Sequence, residues 1–168
     1  MNKSKEYKEY IEQNFMESKK SALEVSRAIL HSELNAGGQA YTRTLHIPKI
    51  FTQQDKQIFT NIVNTTYGIF KKVIQTYRKD EDIRLLFPFD KRLEELILLP
   101  KTYDIDIPIC RVDIFYNEET KDFYFCEFNT DGTSAMNENH RLHQFLKEYN
   151  NVYQQDTELY EEMELLQS

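Results

Sequence analysis

The chain has 168 residues, which is enough for one domain with a sizeable core and too few to predict two. Its composition, with 40% hydrophobic and 29% charged residues, is that of a soluble globular protein and excludes a disordered chain. The net charge of -7 argues against nucleic-acid binding, which needs a basic surface to neutralise phosphates. Binding of a metal-complexed anion stays possible, because a bound cation reverses the local charge.

Membrane and secretory signals are missing from the sequence. The N-terminus is charged and amphipathic, without the apolar segment of a signal peptide, and apolar runs such as residues 96–99 are far too short to span a bilayer. Cys110 and Cys126 are too few for a disulfide framework. We therefore expect a cytoplasmic protein with no membrane partner and with two reduced cysteines in its core.

The first hundred residues have helical periodicity. Apolar residues at helical spacing over residues 7–29 predict one long helix that ends near Asn35, where two glycines able to adopt positive φ follow. Thr52 is the expected N-cap of a second helix, with Asp55 in its first turn and a buried face over residues 59–77.

The pattern changes from short helices to strands near Pro100. Helical turns are expected at residues 83–87 and 91–99, each next to a proline. Alternating β-branched and aromatic residues then predict a hairpin with strands at residues 109–116 and 123–129. Helical spacing resumes near Asn137 and runs to the last residues, with a possible break near Asn150 and Asn151. That ending fits either a chain that stops inside a helix, as part of a longer protein, or a C-terminal helix that docks on its own core.

Four polar side chains share one face of the predicted hairpin. Side chains alternate along a strand. A pairing symmetric about Thr120 places Asp113 opposite Glu127 and Arg111 opposite Asn129. The other face would be apolar, with the pairs Val112–Phe128, Ile114–Cys126 and Tyr116–Tyr124.

This register sets two carboxylates against each other, which costs stability unless a cation lies between them. Asp113, Glu127 and the carbonyl oxygen of Asn129 are oxygen ligands of the kind that Mg²⁺ takes together with phosphate oxygens and water. Arg111 suits a phosphoryl oxygen by its charge and its fork of donors. The pattern therefore indicates a Mg²⁺–phosphate site. The alternative is a solvated strand face on which Arg111 screens the acids.

The turn after the hairpin offers a candidate anion site. Thr133 and Ser134 are cap-type residues at the expected start of the last helix, where free amides could hold a substrate carboxylate. An ordinary strand-to-helix turn is the alternative. His140 and His143 could share a helix face, but without a third ligand in reach they are expected to be solvated or capping side chains.

Two motifs carry a family resemblance: Arg111-x-Asp113 on the first strand and Glu127-x-Asn129-x-Asp131 at the end of the second. They resemble the signature of the glutathionylspermidine synthase family, which are carboxylate–amine ligases with a circularly permuted ATP-grasp arrangement. The resemblance implies that Asp113, Glu127 and Asn129 hold Mg²⁺ on the phosphates of ATP.

The resemblance also implies that Arg111 contacts and stabilises the phosphoryl group as it moves to the substrate carboxylate. A permuted ATP-grasp enzyme needs a further portion that grips the adenine, and 168 residues leave no room for it. The chain is therefore expected to be the pre-ATP-grasp portion at the N-terminal side, with the missing portion in cis or on a partner chain.

The sequence thus predicts a single α+β domain over residues 1–168, in which long helices pack on a small mainly antiparallel sheet. Residues 1–100 are helical, residues 104–129 form the strand hairpin and residues 134–168 are helical. Its expected role is the N-terminal part of an ATP- and Mg²⁺-dependent carboxylate–amine ligase, inactive in isolation. The alternatives are a stand-alone non-catalytic binding or regulatory protein and a Mg²⁺-dependent nucleotide hydrolase.

Overall fold

The computed structural model describes residues 3–40, 44–130 and 136–156. The described chain is α+β, with helices packed with a small antiparallel sheet, which confirms the predicted fold class. Its helices are α1 (Lys3–Gln13), α2 (Phe15–Leu30), α3 (Gln53–Lys79), α4 (Glu81–Arg84), α5 (Lys91–Leu98) and α6 (Met136–Tyr149), followed by a 3₁₀ turn at Tyr153–Gln155. Its strands are β1 (Asn35–Ala36), β2 (Gln39–Ala40), β3 (Arg111–Tyr116) and β4 (Phe123–Asn129), paired as β1–β2 and β3–β4.

The chain divides into two compact units. One lies within residues 1–50 and 134–168, and the other within residues 51–133. That all of it forms one domain stays a prediction. In the described ranges, no helix combines the length and the apolar character that crossing a bilayer requires.

The predicted first helix is two helices. It breaks at Asn14, which has φ -121° and ψ 41° between α1 and α2. The amide nitrogen of the Asn14 side chain donates to the carbonyl of Tyr10 at 3.0 Å. The backbone amide of Asn14 also donates to this carbonyl, at 2.9 Å, so that ladder bond is kept and the break lies in the ψ angle of Asn14, which periodicity alone does not reveal.

The two glycines after α2 serve a hairpin rather than a helix cap. Gly37 and Gly38 have φ of 64° and 82°, and they join β1 to β2 with Asn35 opposite Ala40. Two consecutive positive φ values define the two-residue turn that matches the twist of paired strands, and glycine adopts them without steric cost.

Helices α2 and α6 enclose the core of the first unit. Its buried residues are Val25, Ile29, Leu34, Phe145, Leu146 and Tyr153. α6 ends at Tyr149, next to the predicted break at Asn150 and Asn151. The described chain ends at residue 156, so the prediction that helix continues to residue 168 lies outside it.

A network of neutral polar side chains surrounds His46 in this unit. The side-chain oxygen of Asn150 accepts from the backbone amides of Val152 and Tyr153, each at 2.9 Å, so its amide nitrogen faces His46 and lies 3.3 Å from Nδ1. Nε2 of His46 lies 3.1 Å from the side-chain oxygen of Asn151. These contacts fit a neutral ring that accepts at Nδ1 and donates at Nε2. Burial lowers the pKa of His46 below its ordinary value.

Helix α3 begins as predicted, with a capping box. Oγ1 of Thr52 accepts from the amide of Asp55 at 3.2 Å, and the Asp55 carboxylate accepts from the amide of Thr52 at 2.8 Å. Only 2% of Asp55 is exposed. The same carboxylate accepts from the hydroxyl of Tyr116, the last residue of β3, and from Nζ of Lys121 at 2.7 Å.

The hydrogen bonds from Lys121, Thr52 and Tyr116 hold the pKa of Asp55 well below its usual range. Burial and the hydrogen bond to Asp55 raise the pKa of Tyr116 to about 12. Asp55 therefore stays ionised, and it ties the hairpin to the first turn of α3.

Arg78 links the last turn of α3 to the end of α5. α3 ends at Lys79, and the short helices α4 and α5 follow it. The guanidinium of Arg78 donates to the carbonyls of Ile97, Leu98 and Leu99 at the end of α5. Unpaired carbonyls at a helix end need such donors, so Arg78 acts as the C-terminal cap of α5.

We expect Asp55→Ala to lower the free energy of unfolding by about 2 kcal/mol, because it removes the carboxylate half of the capping box and the charge-assisted hydrogen bonds from Tyr116 and Lys121. Urea denaturation of this variant, compared with the wild type, measures the loss. Asp104→Asn, which removes one negative charge at an exposed loop position, is the matched control and should unfold like the wild type. Equal unfolding midpoints for the wild type and Asp55→Ala would contradict the structural role of Asp55.

The environment of His46 predicts a pH dependence of stability. The unfolded chain takes up a proton near the ordinary His pKa of 6.5, whereas the folded chain takes it up only at lower pH. The free energy of unfolding should therefore fall as the pH is lowered from about 7.5 to about 5.5. Urea midpoints across this range should fall less steeply for His46→Gln, which cannot titrate. Parallel profiles for the two proteins would exclude His46 as the source.

Candidate functional site

The hairpin places the four predicted polar residues in the predicted register. Arg111 pairs with Asn129, and Asp113 pairs with Glu127. The intervening pair, Val112–Phe128, lies on the opposite face, where the ring of Phe128 stacks on Phe70 of α3 at 4.2 Å between ring centroids. The polar residues therefore share the face that points away from α3. We call Arg111, Asp113, Glu127 and Asn129 the polar quartet.

A β-bulge changes the pairing beyond the polar quartet. The register shifts between Asp113 and Ile114, so that Ile114 pairs with Phe125 rather than with Cys126. Tyr116 likewise pairs with Phe123, not with Tyr124 as predicted. One extra residue on a strand moves the side chains that follow it to the other face.

The bulge therefore places Tyr124 opposite Phe115, on the same face as the polar quartet. These two side chains are 75% and 68% exposed. We call Phe115 and Tyr124 the aromatic pair. The prediction of a core position is wrong for Cys126, which is exposed at the bulge, whereas Cys110 is half-buried, and both thiols are free.

Arg111 offsets one of the two negative charges of the quartet. Its Nε donates to Oδ1 of Asp113 at 2.7 Å, and a terminal nitrogen donates to Oδ2 at 3.1 Å. The same terminal nitrogen lies 3.8 Å from the carboxylate of Glu127. The guanidinium lowers the pKa of Asp113, and the carboxylate raises the pKa of Arg111. Arg111 thus supplies the positive charge that the cross-strand acids require, which agrees with the screening interpretation of this face.

The same arrangement also fits a hydrated cation. In the described ranges, no three or more His, Cys, Asp or Glu side chains are grouped so that they could hold a metal ion. The candidate ligands of this face are therefore the two carboxylates of Asp113 and Glu127 and the amide oxygen of Asn129. Mg²⁺ commonly uses one or two carboxylates and takes its other oxygens from water and phosphates. The side-chain amide nitrogen of Asn129 donates to the carboxylate of Glu127 at 2.9 Å. This hydrogen bond does not use the side-chain carbonyl oxygen, which is the candidate ligand.

The other sequence-predicted residues divide into two groups. Thr133 and Ser134, the candidate substrate site, lie outside the described residues, so their role stays a prediction. Nδ1 of His143 lies 3.0 Å from the hydroxyl of Tyr153, and Nε2 of His140 lies 2.8 Å from the side-chain nitrogen of Gln144. Both histidines are therefore in contact with polar side chains of the first unit.

Strand alternation predicts one member of the aromatic pair but not the other. It places Phe115 on the face of Asp113, as observed, and it places Phe123 and Phe125 there instead of Tyr124, because the side of these residues depends on the bulge. The support that Asp55 gives to the hairpin was also missed, because Asp55 was interpreted only as a residue of the first turn of α3. No protein-family model, curated protein or solved structure matches this chain.

We expect Arg111→Gln to lower the melting temperature, on the order of 2 °C, because Asp113 and Glu127 then face each other without a cation. Millimolar Mg²⁺ should recover more of that loss than it adds to the wild type, where Arg111 already offsets part of the negative charge of the acids. Melting curves with and without MgCl₂ measure both effects. Arg92→Gln, at an exposed position of α5, is the charge-matched control. An equal Mg²⁺ effect on Arg111→Gln and Arg92→Gln would contradict a cation site between the acids.

Proposed function

We propose that the polar quartet binds the Mg²⁺-complexed phosphates of ATP, and that the chain is the pre-ATP-grasp portion of a carboxylate–amine ligase similar to glutathionylspermidine synthase. The observation that carries this proposal is the pairing of Arg111 with Asn129 and of Asp113 with Glu127 on one outward face. A metal–phosphate site needs an arginine, carboxylates and an amide oxygen close together. Two cross-strand pairs that are neighbours on one face supply all of these groups.

Each residue of the quartet has a role in this proposal. Asp113, Glu127 and the carbonyl of Asn129 would hold the cation, which neutralises charge on the phosphates. The guanidinium of Arg111 would release Asp113 and donate its hydrogen bonds to a phosphoryl oxygen instead. Its planar set of N–H groups fits a phosphate as well as a carboxylate. Positioning and charge neutralisation are the main means by which phosphoryl transfer is catalysed, and the quartet supplies both.

The remaining parts of the reaction are proposed on the resemblance alone. Thr133 and Ser134 would bind the substrate carboxylate, whose oxygen attacks the terminal phosphorus of ATP as ADP leaves. The amine then attacks the acyl carbon, and phosphate leaves. A further portion, in cis or on a partner chain, would grip the adenine, so this chain alone is expected not to turn over. Its use of ATP would place the protein in the cytoplasm.

Equilibrium binding of a non-hydrolysable ATP analogue tests the proposal. Binding should require Mg²⁺, and both Asp113→Asn and Glu127→Gln should weaken it by about tenfold or more. Glu119→Gln, which removes an acid from the exposed loop of the same hairpin, is the matched control and should bind like the wild type. Binding that is independent of Mg²⁺, or that survives Asp113→Asn, would overturn the proposal.

A non-catalytic binding role is the second candidate, and the exposed apolar side chains of the second unit favour it. Leu85 and Leu86 are 82% and 72% exposed, next to α4. Exposed apolar patches commonly mark protein–protein contacts. The two functions differ in their dependence on the quartet. A binding protein should keep its cellular function in Asp113→Asn, whereas a ligase should lose it. Release of phosphate without a carboxylate substrate would instead indicate the Mg²⁺-dependent hydrolase.

A further inference from the structure

The polar quartet and the aromatic pair form one continuous outward face. The cross-strand pairs follow in the order Arg111–Asn129, Asp113–Glu127 and, after the bulge, Phe115–Tyr124. Asp113 and Phe115 are two residues apart on β3, which corresponds to about 7 Å along a strand. A ligand bound at the acids therefore meets two exposed aromatic rings one step farther along the hairpin.

We propose that the aromatic pair binds the body of the carboxylate substrate, and that this substrate is a small acid with a flat apolar group close to its carboxylate. The inference rests on the proposed function, in which the substrate carboxylate must reach the phosphoryl group held at the quartet. Aromatic rings pack favourably against flat apolar groups, and Phe115 and Tyr124 offer 68% and 75% of their surface for this.

The chemistry at the polar end decides between an acid and an amine. The two acids and Arg111 sum to one negative charge, and a divalent cation together with the phosphates of ATP leaves the loaded site negative, so the net charge alone does not select an acid. A carboxylate oxygen could enter the coordination sphere of a cation held by the acids, which an ammonium group cannot do. The proposed reaction also needs the carboxylate, and not the amine, beside the terminal phosphate when the phosphoryl group moves.

Ligand-observed NMR titrations test this inference with defined probes. In the presence of Mg²⁺ and a non-hydrolysable ATP analogue, 3-phenylpropanoate should bind about fivefold more tightly than acetate. Benzylammonium and benzyl alcohol carry the same ring on a cationic and a neutral group, and both should bind more weakly than 3-phenylpropanoate. Tyr124→Ala and Phe115→Ala should each remove most of the advantage over acetate.

The matched control is Phe125→Ala. Phe125 is also exposed, at 58%, but it pairs with Ile114 on the other face of the hairpin, so its loss should leave the advantage intact. Circular dichroism and melting curves confirm that each variant is folded. A variant that unfolds is replaced by the leucine variant at the same position, which keeps an apolar group and loses only the ring.

The possible results separate the two proposals. If the ATP analogue binds with Mg²⁺ but 3-phenylpropanoate shows no advantage, or benzylammonium binds best, this inference is overturned and the proposed function stands. If the analogue does not bind with Mg²⁺, both are overturned. If Tyr124→Ala changes the sedimentation of the protein and not probe binding, the aromatic pair is a protein contact and the inference is overturned.

Discussion

The second unit depends on the hydrogen bonds that the buried carboxylate of Asp55 accepts. A buried charge must be paired, and here it is paired from two elements at once: Thr52 caps α3, while Tyr116 and Lys121 reach it from the hairpin. The left-handed backbone of Lys121, with φ of 66°, lies beside this contact. Because Tyr116 is held against α3, the residues of opposite parity on β3, including Asp113, face outward.

The bulge at Cys126 then determines what the outward face contains. A regular ladder would carry Tyr124 to the side of Tyr116, towards α3. One extra residue reverses the parity of β4 between the polar quartet and the turn, so the outward face is polar at one end and aromatic at the other. The bulge leaves the pairing of Asp113 with Glu127 unchanged, because it lies on the turn side of that pair.

Patterns of residues close together in the sequence predicted the features of the structure that depend on such neighbouring residues. The α+β fold class, the N-cap at Thr52 and the pairing of Asp113 with Glu127 follow from spacing and alternation, and all are confirmed. The break at Asn14 and the bulge are local departures from regular backbone geometry that no periodicity reveals. The partners of Asp55 on the hairpin lie 61 and 66 residues away, so only the folded chain brings them together. The functional roles of the quartet remain proposals.

Arg111 also explains why this face would favour a metal–phosphate complex over either ion alone. A divalent cation by itself would lie beside a guanidinium that already pairs with the acids, and the two positive charges would repel. A phosphate by itself would face the carboxylates of Asp113 and Glu127, with Arg111 already bound to Asp113. In the proposed site, the cation would bind the carboxylates and the released guanidinium would bind the phosphate. Each ion would then remove the repulsion that the other would meet, so their binding would be coupled through Arg111.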